Sequence, residues 1–137
     1  MENDMEIIIT QWALDSYLDL VSQKVFTRQE YLTVIRPDVL LLQVYPNDPK
    51  FKNGKFWSPA NDRNALIIPT GYKMKWHQIG NGKVQLRLTV GIFDDECFLC
   101  EAYVKKDEKT DKRKLAKFKG YLELIRQGCY TIRGNLT

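Results

Sequence analysis

Lys73, Lys75, His77, Gln85 and Arg87 are the residues whose types and spacing point most directly to chemistry. In Tyr72-Lys73-Met74-Lys75-Trp76-His77 the cations alternate with large apolar side chains. An extended backbone therefore places Lys73, Lys75 and His77 on one face and Tyr72, Met74 and Trp76 on the other. Val84, Leu86, Leu88 and Val90 alternate in the same way with Gln85, Arg87 and Thr89. Gly80-Asn81-Gly82 stands between the two runs, and Asn-Gly is the strongest short hairpin signal. Pairing through that turn brings the cations onto one exposed sheet face. Positive groups crowded together disfavour one another's charged form, which lowers a lysine's pKa toward the range where its amine can accept a proton. A solvated sheet face is the plainer reading of the same alternation.

A second feature is the basic run from Lys105 through Lys119. Eight cations against three acids give it a charge of +5, more than the +4 of the whole chain. Lys105, Lys106, Lys109, Lys112, Arg113 and Lys117 make an electrostatic footprint suited to phosphate backbones, or else a solvated helix face. Other chemistries find no support. His77 is the only histidine, and no Gly-x-Ser-x-Gly elbow accompanies it. Cys97-x-x-Cys100 has the spacing of a zinc or redox pair but falls in a strand-like run, where residues three apart face opposite sides. The cysteines are therefore read as reduced packing residues, with no metal. Neither a phosphate-cradling Gly-x-x-x-x-Gly-Lys nor a dinucleotide fingerprint is present, so no nucleotide cofactor is expected.

The elements that must position these residues can be read from the rest of the chain. Its 137 residues, 44% hydrophobic and 28% charged, suit one globular domain rather than a disordered, fibrous or disulfide-stapled chain. The apolar runs Ile7-Ile8-Ile9 and Val39-Leu40-Leu41-Leu42 fall far short of the roughly 20 residues of a membrane span. The N-terminus is acidic where a secretory signal is basic, so a cytoplasmic location is expected.

Glu6 to Thr10 reads as a buried strand, and Trp12, Ala13, Tyr17, Leu18, Leu20 and Val21 as a helix over about residues 11–24. Thr27-Arg28-Gln29-Glu30 fits a capping box opening a second helix, which Pro37 either ends or kinks. From 46 to 69, Pro, Asn, Asp, Gly and Lys predominate, predicting a long loop insertion whose Phe51, Phe56 and Trp57 pin it to the core. A meander follows, with Asp94-Asp95 turning the chain into Cys97 to Lys105. Thr110 then caps a helix in which Leu115, Phe118, Leu122 and Ile125 recur until Gly128. The last residues, 129–137, read as a short strand or a tail. The expected fold is α+β: an antiparallel-dominated sheet of about four to five strands, two N-terminal helices and one C-terminal helix.

This order of elements, with several local runs, resembles the RelE/ParE/HigB superfamily of toxins from type II toxin-antitoxin systems. Tyr72-Lys73-Met74-Lys75-Trp76 resembles the family's Tyr-Glu-Leu-Arg-Val strand, and Leu86-Arg87-Leu88-Thr89-Val90 its Tyr-Arg-Val-Leu-Tyr strand. Phe98-Leu99-Cys100-Glu101-Ala102-Tyr103-Val104-Lys105-Lys106 resembles its Leu-Leu-His-Ala-Phe-x-Lys-Lys strand. Lys105 to Arg113 is similar to the Lys-Lys-x-x-Lys-Thr-Pro-x-x-Glu segment of HigB-like members, with Asp111 in place of the proline and no acid at Lys114. The match covers about half the chain.

The resemblance implies a ribonuclease that enters the ribosomal A site, cuts messenger RNA without a metal, and is neutralised by a cognate antitoxin protein. The nucleophile in such enzymes is the RNA's own 2′-hydroxyl. The protein must take its proton, stabilise the phosphorane and protonate the leaving 5′-oxygen. By position, Lys75 and Arg87 match the family's phosphate-holding cations and Tyr103 lies near its last-strand aromatic. Lys73 and His77 join them through the expected sheet geometry. Two alternatives stand beside this reading: a ParE-like inhibitor that binds DNA gyrase without chemistry, and a basic RNA- or protein-binding module without toxicity. One scaffold can host each of these functions.

Overall fold

The computed structural model describes residues 4–62 and 64–137. Strand β1 (Glu6–Thr10) leads directly into helix α1 (Gln11–Ser22), and one buried hydroxyl makes the junction. Thr10 Oγ1 accepts the Ala13 N–H at 3.2 Å as the N-cap and donates to the Leu99 carbonyl at 2.7 Å, so it ties the helix start to the sheet. The second helical body opens on the capping box expected from its sequence. Thr27 Oγ1 accepts the Glu30 N–H, and the Glu30 carboxylate accepts the Thr27 N–H.

Pro37 does not end this body. The chain runs from α2 (Arg28–Glu30) through a π-helical turn, Tyr31–Ile35, into α3 (Arg36–Leu40) and a 3₁₀ turn, Leu41–Val44. Proline has no N–H to give, and the Arg36 N–H reaches back five residues to the Tyr31 carbonyl, so the turn widens just before it.

The segment 46–69, expected as loop, holds a 3₁₀ turn, Pro49–Lys52, the strand β2 (Trp57–Asn61) and the start of β3 (Ile67–Ile79). Phe51, Phe56 and Trp57 are buried, and the Trp57 ring stacks on Tyr72 at 5.0 Å. The expected turn follows β3, with Gly80, Asn81 and Gly82 all at positive φ, a conformation that glycine and asparagine tolerate. Strand β4 (Val84–Phe93) turns through Asp94 into β5 (Glu96–Val104), and helix α4 (Glu108–Arg126) follows. The N-cap of α4 is Asp107 rather than Thr110: its carboxylate accepts the Thr110 N–H at 2.6 Å. The tail forms β6 (Ile132–Asn135).

The sheet corrects the expected one. It has six strands in the order β2-β3-β4-β5-β1-β6 and is mixed, because β1 runs parallel to β5, with Ile7 opposite Cys97 and Ile9 opposite Leu99. The reason lies in the connections. A meander of tight turns makes antiparallel pairs only, whereas β1 reaches its neighbour through two helical bodies and a three-strand excursion, a crossover that permits parallel pairing. The sixth strand, β2, is an edge strand of five residues with Pro59 in it, and its composition reads as loop. The other edge strand, β6, has four residues and takes the strand alternative for the tail.

Each face of the sheet has its own core. Ile7, Met74, Trp76, Leu86, Leu88, Val90 and Leu99 pack under the N-terminal helices. Ile8, Phe98 and Cys100 pack under Leu115, Phe118, Leu122 and Ile125 of α4. Helix α4 lies close because Gly71 and Gly91 sit opposite each other beneath it. A Cβ on Gly91 would come within 2.6 Å of Leu122 Cδ2, and one on Gly71 within 2.8 Å of Phe118 Cε2. Cys97 and Cys100 belong to opposite cores. Burial pushes both thiols up, Cys97 to about 12, so neither is a thiolate at neutral pH.

Candidate functional site

The α4-side face of the sheet is divided. Its apolar half lies under Phe118 and Leu122, while its polar half lies under the first turns of α4 and carries every candidate catalytic residue named above. Strand pairing sets Lys75 opposite Arg87 and Arg87 opposite Tyr103, so residues from three strands form one cross-strand row. In the next row Lys73 lies opposite Thr89, and Thr89 opposite Glu101. A bulge shapes this half: the register shifts between Thr89 and Val90, so Cys100 and Glu101 take up the space of one residue. The Thr89 hydroxyl closes the bulge, accepting the Glu101 N–H at 3.1 Å.

The row is convergent, but its inner members are not exposed as the sequence led us to expect. Arg87 is only 4% exposed and Tyr103 only 3%. Asp111, in the first turn of α4, is itself buried. Asp111 Oδ1 accepts the Tyr103 hydroxyl at 2.6 Å, and Lys73 Nζ lies 3.7 Å from Oδ2. Burial, reinforced by this bond to a carboxylate, pushes the Tyr103 hydroxyl well above the ordinary tyrosine range, so it stays a neutral donor.

The Arg87 guanidinium donates to Gln85 Oε1 at 2.9 Å and to the Leu86 carbonyl at 3.2 Å, and its Nε has no partner. Burial lowers its proton affinity, and the Asp111 charge opposes that shift. Glu101 is the other buried group of this half. Lys114 Nζ meets its Oε2 at 2.8 Å, and its Oε1 has no partner.

Lys75 stands at the open end of the row. Its Nζ donates to the Gly54 carbonyl at 2.6 Å, and its pKa is lowered first by burial and then by Lys73, Arg87 and Lys105. The crowding inferred from the alternation of β3 and β4 is therefore present, with Lys105 added. His77 lies two residues further along β3, exposed, with Nε2 2.8 Å from the Lys55 carbonyl. The 53–55 backbone thus covers the outer edge of the candidate site.

The basic run does not form one patch. Lys105 pairs with Glu108 at 2.8 Å at the end of β5 that carries Tyr103. Lys106, Arg113 and Lys117 instead line a groove between α4 and α1, facing Asp15 and Asp19 across it. Lys109 and Lys112 are exposed on α4. Helical spacing explains the split, since Lys112 and Arg113 lie 100° apart and fall on different flanks.

Sequence reading missed Asp111 as a site residue because an acid in a first helical turn has a sufficient explanation in the helix dipole. Its spacing of four from Asp107, which frees it from capping, was the available signal. Glu101 carried none, lying in a run that reads as an ordinary strand. Among the described residues no group of three or more His, Cys, Asp or Glu is placed to hold a metal, and no helix is long and apolar enough to cross a membrane. No family model, curated protein or solved structure matches the chain.

Proposed function

We propose that the protein is an RNA-directed toxin whose α4-side sheet face holds a phosphate of messenger RNA, and that it cleaves that RNA on the ribosome without a metal. The observation that carries this reading is the row Lys75, Arg87 and Tyr103, set side by side across three strands. The order strand, helices, meander, basic turn and helix, on which the resemblance to RelE/ParE/HigB toxins rested, supports it too. A cognate antitoxin and a cytoplasmic site of action belong to the same proposal.

In the proposed reaction Lys75, crowded toward its neutral form, takes the proton of the 2′-hydroxyl. Arg87, one strand further in on the same row, adds positive field to the phosphorane. His77 lies about 7 Å along the strand from Lys75, a separation suited to protonating the 5′-oxygen on the far side of the phosphorus. Tyr103 holds Asp111 in place and moves no proton.

Mapping 5′ ends on messenger RNA after inducing the chain in a bacterial host tests this. Discrete new ends should appear with the parent and fall about 100-fold with Lys75→Met. Burial of Arg87 and Tyr103 favours one other reading, a protein that binds without chemistry, such as a gyrase inhibitor. Growth arrest with intact messages would select it.

A further inference from the structure

We propose that the groove between α1 and α4 docks an extended segment of a partner protein, one with basic and acidic residues in alternation, which adds as a strand along the free edge of β5. Strand β1 pairs with β5 only as far as Leu99, then leaves the sheet at Thr10 for α1. Among the described residues, Cys100 to Val104 therefore continue with no strand on that side. The Lys105 N–H bonds the Gln85 carbonyl, and Leu86 stands opposite Val104, so the backbone groups of Ala102 and Val104 point away from β4. Ser16 Oγ on α1 accepts the Ala102 N–H at 2.9 Å. Among the described residues the Ala102 carbonyl and both backbone groups of Val104 have no partner, and both residues line the groove. An unpaired edge of this kind is a template for another strand.

The two walls of the groove carry opposite charge. Helix α1 packs on one face of the sheet and α4 on the other. Asp15 and Asp19 stand on the α1 side, and Lys106, Arg113 and Lys117 on the α4 side. Among the described residues no ion pair joins these groups across the groove. Asp15 and Asp19 instead accept hydrogen bonds from Gln11 and Gln23 of their own helical body. Glu101, which also lines the groove, meets Lys114 with Oε2 and leaves Oε1 buried without a partner. A buried acceptor left unpaired costs stability, so this one favours an occupant that brings an N–H.

Strand geometry turns the opposed walls into a sequence rule. Successive side chains of a strand point to opposite faces of its sheet, so a segment added beside Val104 sends every second residue toward α1 and the others toward α4. Basic residues suit the first set and acidic residues the second. A nucleic acid strand fits less well, because its phosphates are all negative and would meet Asp15 and Asp19 as well as the cations.

The probe is a labelled peptide of about nine residues, alternating lysine and glutamate and blocked at both ends, set against one with the same residues in two blocks. Titrated with the purified full chain at low salt, the alternating peptide should bind about tenfold more tightly by fluorescence anisotropy. Asp15→Lys with Asp19→Lys, at two exposed positions, should remove that preference. In the complex the Val104 N–H should exchange with solvent about tenfold more slowly, which contact between charged side chains alone would not produce. Should the double variant fail to fold, Val104 exchange in the parent decides. Equal affinity for the block peptide, an unchanged preference in the folded double variant, unaltered Val104 exchange, or displacement of the peptide by oligouridylate would each overturn the proposal.

Discussion

Tyr103 and Asp111 join the end of β5 to the first turn of α4 through one buried hydrogen bond of 2.6 Å. Neither group can turn to water, so each depends on the other. Tyr103→Phe should lower stability by about 1 to 2 kcal/mol, since it removes a bond to a charged acceptor. Asp111→Ala should cost more, about 3 kcal/mol, because the Tyr103 hydroxyl is left without a partner and Lys73 and Arg87 lose their counter-charge. Urea unfolding of both variants and the double variant measures the coupling, expected at about 1 to 2 kcal/mol. Additive losses would mean that the bond contributes nothing of its own.

Arg87 invites a contrast between two replacements. Arg87→Ala removes the packing of a buried stem and strips Asp111 of a nearby positive charge, and should cost about 2 to 4 kcal/mol. Arg87→Met keeps most of the volume and also removes an Nε that is buried without a partner, so it should cost clearly less. Thermal melts of the two proteins rank them. If alanine is the milder change, the buried stem of Arg87 contributes no packing to the fold.

How far the site was legible in sequence follows from what periodicity encodes. Alternation in Lys73-Met74-Lys75-Trp76-His77 and Gln85-Leu86-Arg87-Leu88 fixes which side chains share a face, and the row on β3, β4 and β5 has that composition. What alternation cannot encode is what lies above the face. Arg87 was expected exposed and is buried because α4 crosses over it, and the closeness of α4 depends on Gly71 meeting Gly91, a pairing between strands. The parallel placement of β1 beside β5 escaped for a similar reason. Ile7-Ile8-Ile9 shows that a strand is buried but not which neighbour buries it. The edge strand β2 was missed because a short strand containing Pro59 carries loop composition, whereas β6 is the short strand that was one of two readings of the tail.

Lys75 gives the site a pH signature. Its pKa in the folded chain is lowered from the usual 10.5 by burial and by Lys73, Arg87 and Lys105, so the unfolded chain binds its proton more tightly. The charged lysine therefore opposes folding at neutral pH, and stability from this group rises as pH climbs through the lowered pKa toward 10.5. Lys75→Met should accordingly match or exceed the parent in stability at pH 7, with the advantage shrinking toward pH 10.5. A bound phosphate offsets part of the shift by favouring the ammonium. Binding of RNA in the window just below 10.5 should thus take up protons, which calorimetry in two buffers of different ionisation enthalpy detects. Proton release instead would place the phosphate elsewhere.

The division of the basic run between two flanks of α4 separates two RNA paths by salt dependence. Each phosphate neutralised on a single strand contributes a slope of roughly −0.7 in log affinity against log salt. If RNA lies on the row of Lys75, Arg87 and Tyr103, Lys75→Gln with Lys105→Gln should remove two contacts and flatten the slope by about 1.4. Arg113→Gln with Lys117→Gln should leave it unchanged, because those side chains face the acidic bank of α1, Asp15 and Asp19, across the groove. Anisotropy of a labelled oligoribonucleotide at several potassium chloride concentrations reads both slopes. Pairing with Glu108 at 2.8 Å restrains Lys105 in the free protein, so part of its contribution must first break that contact. A flattened slope from the Arg113 and Lys117 pair alone would move the RNA into the groove and leave the row of Lys75, Arg87 and Tyr103 as a structural charge cluster.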